Sequence, residues 1–124
     1  MSRMTNEIRQ YMSDLTETAG GNLTARFLFP SDFIGFQGHF PGNPVLPGIC
    51  KIQAVLVILQ ERYKKTTIRL KEIVQAKFLS PVSCGEELAF ECRETKRSDR
   101  EMFVKALISS NDKKIAELKL RLRN

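Results

Sequence analysis

The chain has 124 residues, of which 42% are hydrophobic and 27% charged, and its formal net charge is +6. This is the composition of one globular domain, large enough to fold around a single core without covalent staples. No apolar run reaches the length needed to span a bilayer, and the N-terminus MSRMTNEIRQYMSDL lacks the apolar core and cleavage site of a secretory signal, so no membrane role and a cytoplasmic location are expected.

The three cysteines, Cys50, Cys84 and Cys92, are odd in number and fit no metal spacing. His39 is the only histidine, which excludes a His-rich metal site, and the thiols read as reduced and structural. Basic residues gather at Arg62, Lys64 and Lys65, at Arg93, Lys96, Arg97 and Arg100, and at Lys113 and Lys114. They are either a solvated surface or an attractive field for an acidic partner. No aromatic residues interleave with them and no nucleic-acid motif appears, so nucleic acid is not the expected partner.

In chain order, Ile8, Tyr11, Met12 and Leu15 fall at helical spacing, which predicts a short helix within the first fifteen residues. Gly20-Gly21-Asn22 signals a turn. Leu23 to Phe29 then alternates as a half-buried strand does, and Pro30 ends it. A Gly/Pro loop over residues 35–48 leads into a helix from Ile49 to Lys65. Residues Ala54 to Leu59 are apolar without a break, so most of that helix's circumference is expected to be buried. Everything after Thr66 reads as strand: Ile68 to Phe78, Glu87 to Glu94, Glu101 to Ser109 and Lys114 to Arg123. One long buried helix with about five or six strands predicts an α+β domain whose antiparallel sheet curls around the central helix.

The stretch FQGHFPGNPVLPGICKIQA, residues 36–54, carries the chemistry. Pro47-Gly48 opens the long helix, whose first N–H groups are unpaired and whose N-terminus is positive. Such a site can hold a carbonyl oxygen that gains negative charge during reaction. His39 lies nine residues before Gly48 on a loop stiffened by Pro41, Pro44 and Pro47. It either acts as a preorganised general base or hydrogen-bonds the loop to itself.

The segment GHFPGNPVLPG and the apolar helix after it resemble the hotdog-fold beta-hydroxyacyl-acyl carrier protein dehydratases. The lead-in FIGFQGHFPG is similar too, as are Ala76 to Val82 and the corner Gly85-Glu86-Glu87-Leu88. The resemblance runs from about Phe29 to Asn124. It implies a hotdog fold, a curled sheet around one central helix, and an active site between the subunits of a homodimer, with a trimer of dimers common in the family. It implies an acyl carrier protein or coenzyme A thioester as ligand, and no metal or organic cofactor. By resemblance, His39 removes the proton next to the thioester carbonyl, and Gly48 gives an N–H to the thioester oxygen. Phe36, Phe40, Pro47, Ile49 and Cys50 fall where substrate would pass. Phe29, Phe33, Phe36 and Phe40 either line an acyl tunnel or fill the core. Lys51 is expected to point to solvent or to the carrier's phosphate.

The third catalytic role falls on Gln53, where the family carries an acid. An amide has no proton to give, and general acid catalysis contributes typically about 10²–10⁴-fold. Glu61, eight residues on, is about 12 Å further along the helix and a poor substitute, and Asp32 has no supporting pattern. Three functions stay open: a dehydratase in which Gln53 positions a hydroxyl, an acyl-thioester-binding protein or partner subunit of an active hotdog enzyme, and an acyl thioesterase. Residues 1–22 are shorter and more polar than the family's N-terminal segment, which leaves chain-length preference open.

Overall fold

The computed structural model describes residues 3–37 and 45–124. Helix α1 spans Arg3–Gln10, strands β1 and β2 span Met12–Glu17 and Leu23–Leu28, and a 3-10 turn covers Ile34–Phe36. Helix α2 spans Gly48–Tyr63 and is followed by β3 (Arg69–Phe78), β4 (Glu87–Arg97), β5 (Glu101–Ser110) and β6 (Lys113–Arg123). The strands form one six-stranded antiparallel sheet in the order β1-β2-β4-β5-β6-β3. This is the expected α+β hotdog architecture, with α2 as the element the curled sheet encloses.

Helix α2 is buried at Cys50, Lys51, Ile52 and every residue from Ala54 to Leu59. Pro47 sets its start with extended backbone (φ −62°, ψ 150°), and Lys64 ends it in the left-handed region (φ 56°, ψ 38°). The sheet meets it with the inward positions of period-two strands: Leu23, Ala25 and Phe27 on β2, Leu88, Phe90 and Cys92 on β4, Val104, Ala106 and Ile108 on β5, and Leu118, Leu120 and Leu122 on β6. Gly21, at φ 86°, closes the β1–β2 turn by donating its N–H to the Thr18 carbonyl at 2.9 Å.

The N-terminal expectation needs correction. The helix stops at Gln10, and Met12 and Leu15 belong to β1. Their spacing of three looks helical because a bulge between Ser13 and Thr16 inserts one extra residue into β1, with Asp14 at φ 54°. Both side chains can therefore turn toward the core, against which they pack. Eight residues of α1 are marginal as a free helix. Buried Ile8, the ion pair of Arg9 with Glu61 (2.5 Å) and its bond to Gln60 (2.9 Å) dock α1 on α2.

Among the described residues, strand β3 is an edge strand that pairs with β6 alone, and eight of its ten residues are exposed. Ile73 (44%), Val74 (49%) and Phe78 (49%), with Leu79 (51%) just beyond, leave apolar side chains in water. The opposite edge, β1, is shorter and largely polar.

Candidate functional site

The N-terminus of α2 is pinned by the chain that enters it. Val45 forms a bridge with Ser83, and the Leu46 N–H donates to the Val82 carbonyl at 2.8 Å. The corner that supplies these partners is itself anchored: the Gly85 N–H (φ 76°) donates to the Phe29 carbonyl at 2.8 Å, and the Ser83 N–H donates to Glu86 Oε1 at 3.2 Å. The PVSCG corner therefore holds together the end of β2, the approach to α2 and the start of β4.

On the other side of the motif, the 3-10 turn is tied to α1. The Ile34 N–H donates to Glu7 Oε1 at 3.0 Å, and Arg3 Nε donates to Glu7 Oε2 at 2.6 Å. These bonds hold the Glu7 carboxyl below the usual carboxylate range, the Ile34 N–H most of all. Phe33 stacks on Phe29 with centroids 4.5 Å apart and meets Phe36 edge-on at 5.8 Å. The segment leading to residue 37 is thus fixed by an aromatic core and a carboxylate.

His39 and Phe40 lie outside the described residues, as does the rest of 38–44. Phe29, Phe33 and Phe36 are each no more than 4% exposed, and their rings fill the core. Pro47 caps α2 and is partly buried, and Gly48 is its first residue. Among the described residues the Gly48 N–H has no acceptor, as the first turn of a helix leaves it. Ile49 is 51% exposed and Gln53 is partly buried. Four residues apart, they share the stripe of the first turns of α2 that the chain's own sheet leaves open.

Cys50 is fully buried, with Sγ 3.3 Å from Met4 Sδ and packed against Gly35. Burial pushes its thiol up to about 11. It faces α1 and the 3-10 turn, which leaves it no open side toward a ligand.

Lys51 departs most from expectation. The expectation that it points to solvent is corrected: the side chain is only 4% exposed. Nζ donates to the Leu46 carbonyl at 3.4 Å and stands 5.2 Å from the centroid of the Phe78 ring. Burial lowers its pKa from the ordinary lysine value. The same Phe78 ring lies on Gly48, where an added Cβ would stand 2.7 Å from Phe78 Cζ. Sequence reasoning missed Phe78 and Glu7 as parts of this neighbourhood and the burial of Lys51. Glu7 had a signal, since it follows an N-terminal helical start; Lys51 and Phe78 had none, because only the register of β3 against α2 brings them together.

The matches to known proteins cover this assembly. The ApeI-like family model, that of the ApeI dehydratase, takes in residues 15–119. A 3-hydroxyacyl-[acyl-carrier-protein] dehydratase FabZ of Enterococcus faecalis is 36% identical over 91 residues, 68% of this chain and 64% of the relative. A FabZ of Caulobacter is 32% identical over 90 residues, 66% of this chain and 55% of the relative. The chain thus spans under two thirds of the length of these curated relatives. Among solved structures, the dehydratase heterocomplex ApeI:P of Xenorhabdus doucetiae superposes with a TM-score of 0.72 at 18% identity, covering 91% of this chain and 94% of that one. The PaaI protein of Escherichia coli also reaches 0.72, at 10% identity, covering 97% and 89%. At such identities the two structures speak for the fold. With the family model matching most of its length, the chain belongs to the ApeI-like family.

Proposed function

We propose that the protein is a 3-hydroxyacyl-thioester dehydratase, with an acyl group on a carrier protein or coenzyme A as substrate. The observation that carries this reading is the ApeI-like match across residues 15–119, which contains the whole GHFPGNPVLPG motif. In the proposed reaction the His39 imidazole takes the proton from C2 of the acyl chain. Negative charge passes to the thioester oxygen, which accepts the Gly48 N–H. The electron pair then forms the C2–C3 double bond as the C3–O bond breaks, and the hydroxyl leaves as water. Gln53 holds that hydroxyl by hydrogen bonds, and the proton it needs returns from His39.

A homodimer fits the same reading. Edge strand β3 offers an unpaired ladder and exposed Ile73, Val74, Phe78 and Leu79, a surface that isolated proteins avoid. Continuing the sheet through β3 of a second copy would cover it. Gln53, on the stripe of α2 that its own sheet leaves open, is then available to the other subunit's site. The net charge of +6 favours an acidic carrier.

A second reading is favoured by Gln53 itself: a subunit that binds acyl thioesters and works beside an acid-bearing partner. The Xenorhabdus neighbour is a dehydratase heterocomplex. The experiment incubates purified protein with a 3-hydroxyacyl thioester and measures enoyl product. Turnover that is lost in His39→Ala and raised in Gln53→Glu supports the dehydratase. Saturable acyl-carrier binding without turnover sinks it in favour of the partner subunit.

A further inference from the structure

Lys51 is a buried cation without a counter-ion. None of the ion pairs among the described residues includes it. The residues outside the described set, 1–2 and 38–44, contain no Asp or Glu. No carboxylate among the described residues therefore lies within ion-pair distance to offset the charge. Two local effects oppose it: an ammonium loses hydration on burial, and the N-terminal turn of a helix is already positive. A lysine stem can usually carry its charge out to water. Here the Leu46 carbonyl and the Phe78 ring hold Nζ at 3.4 Å and, from the centroid, 5.2 Å, and exposure stays at 4%. An apolar side chain of similar length would pack there without that cost.

The position explains what the cost serves. Lys51 is three residues after Gly48, on the same side of α2, and both lie against Phe78. We propose that Lys51 is an electrostatic positioning residue, whose ammonium behind Gly48 keeps the α2 N-terminus receptive to the negative charge that forms on a thioester oxygen. The proposal rests on the reaction above and adds to it. Lys51 neither touches substrate nor exchanges a proton. Its field acts while the C2 proton resides on His39, and the charge it favours leaves the oxygen when the C3–O bond breaks. With Lys51 only 4% exposed, its field is less screened than that of a surface charge. It also bears on the missing acid: with Gln53 unable to protonate the departing hydroxyl, the charged intermediate must persist longer, and a site that stabilises it gains in value.

The test separates this step from hydroxyl departure. Deuterium exchange at C2 of a saturated acyl-coenzyme A in heavy water needs the base and the oxygen site, and no leaving group. Exchange is measured for wild type, Lys51→Met, Lys51→Arg and His39→Ala, with the melting temperature of each. The expectation is exchange slowed tenfold or more in K51M with a melting temperature equal to or above wild type, and partial recovery in K51R. Exchange that depends on His39 and is unchanged in K51M overturns the role of Lys51 and leaves the dehydratase reading intact. Wild-type exchange no faster than that of H39A overturns both. A K51M that melts well below wild type, with K51R exchanging no faster than K51M at a temperature where both are folded, assigns Lys51 to the scaffold and also overturns the proposal.

Discussion

The ring of Phe78 lies so close to Gly48 that a methyl group there would stand 2.7 Å from its Cζ and 3.0 Å from its Cε2. The contact links the first residue of α2 to the last residue of β3, the strand on the free edge of the sheet. Whatever binds along that edge therefore reaches the helix N-terminus through one side chain. Gly48 is needed here for space, being helical and under no backbone strain.

Gly48→Ala is expected to push the half-exposed Phe78 ring aside. The contact is with the far end of a ring that is 49% exposed in the isolated chain, so the stability cost to that chain should stay near the low end of the usual overpacking range, about 1 kcal/mol. Turnover of a 3-hydroxyacyl thioester should fall by more than that cost implies, since the wall beside the Gly48 N–H moves. The double variant Gly48→Ala with Phe78→Ala should recover stability relative to Gly48→Ala alone. Urea denaturation of Gly48→Ala, Phe78→Ala and the double variant measures this, and strict additivity of the two changes would show that the ring and the glycine are not coupled.

Arg9 anchors α1 through a partly buried network. Its Nε donates to Glu61 Oε1 at 2.5 Å and a terminal nitrogen donates to Gln60 Oε1 at 2.9 Å, while Gln60 Nε2 donates to the Ile68 carbonyl at 2.8 Å. The network joins α1, α2 and the approach to β3. Arg9→Met should lower stability by about 1–2 kcal/mol, because charge-assisted bonds with limited solvent access retain part of their strength. Arg97→Met, which removes an exposed pair with Glu94, should cost under about 1 kcal/mol. Equal losses for the two arginines in chemical denaturation would contradict this ranking.

The sequence made the central helix legible through its unbroken apolar run, β4, β5 and β6 through their alternation in period two, and β3 through its β-branched and aromatic residues. Tyr11, Met12 and Leu15 misled for a local reason: a bulge near Asp14 gives strand residues a spacing that imitates a helix. The outer position of β3 was hidden because its apolar residues are as frequent as those of an interior strand. Gly48 and Gln53 could be placed in the first turns of α2 from the sequence, because the motif runs directly into the helix. The burial of Lys51 could not be read there, since a lysine in an amphipathic reading belongs to the wet face. Among its neighbours is Phe78, a residue distant in sequence and brought near by the fold alone.

If the apolar edge of β3 is an interface, a charge placed on it should separate the subunits. Ile73 is 44% exposed, so Ile73→Lys removes little from the core of the isolated chain. Light scattering after size exclusion should give a dimer or larger assembly for wild type and a shift toward monomer for the variant at micromolar concentration. Thr16→Lys, on the polar edge β1, serves as control and should leave the assembly unchanged. A monomeric wild type would remove the proposed dimer.

Alkaline stability should be governed by the buried thiols. Burial raises Cys50 to about 11 and Cys92 to about 12 from an ordinary 9.0, the latter with a smaller push from Glu91. Below pH 9 both thiols are protonated in the folded and the unfolded chain, and their contribution is fully present. Above it the unfolded chain loses these protons first, so stability falls as pH rises toward the folded values, by up to about 1.4 kcal/mol per pH unit for each thiol. Lys51 works in the opposite sense: its lowered pKa means that the folded chain sheds this proton first, so stability gains as pH rises from the lowered value toward 10.5. Tyr63, whose phenol is also raised above 10.0 by burial, adds a third falling contribution, so one rising and three falling contributions leave a net decline between pH 9 and 10.5, steeper above 10.5. Cys92→Ala should cost stability at pH 7 through the space it empties yet decline less steeply above pH 9. Denaturation midpoints at half-unit intervals from pH 7 to about 11 test this, and parallel curves for the variant and wild type would show that the Cys92 thiol is not the titrating group.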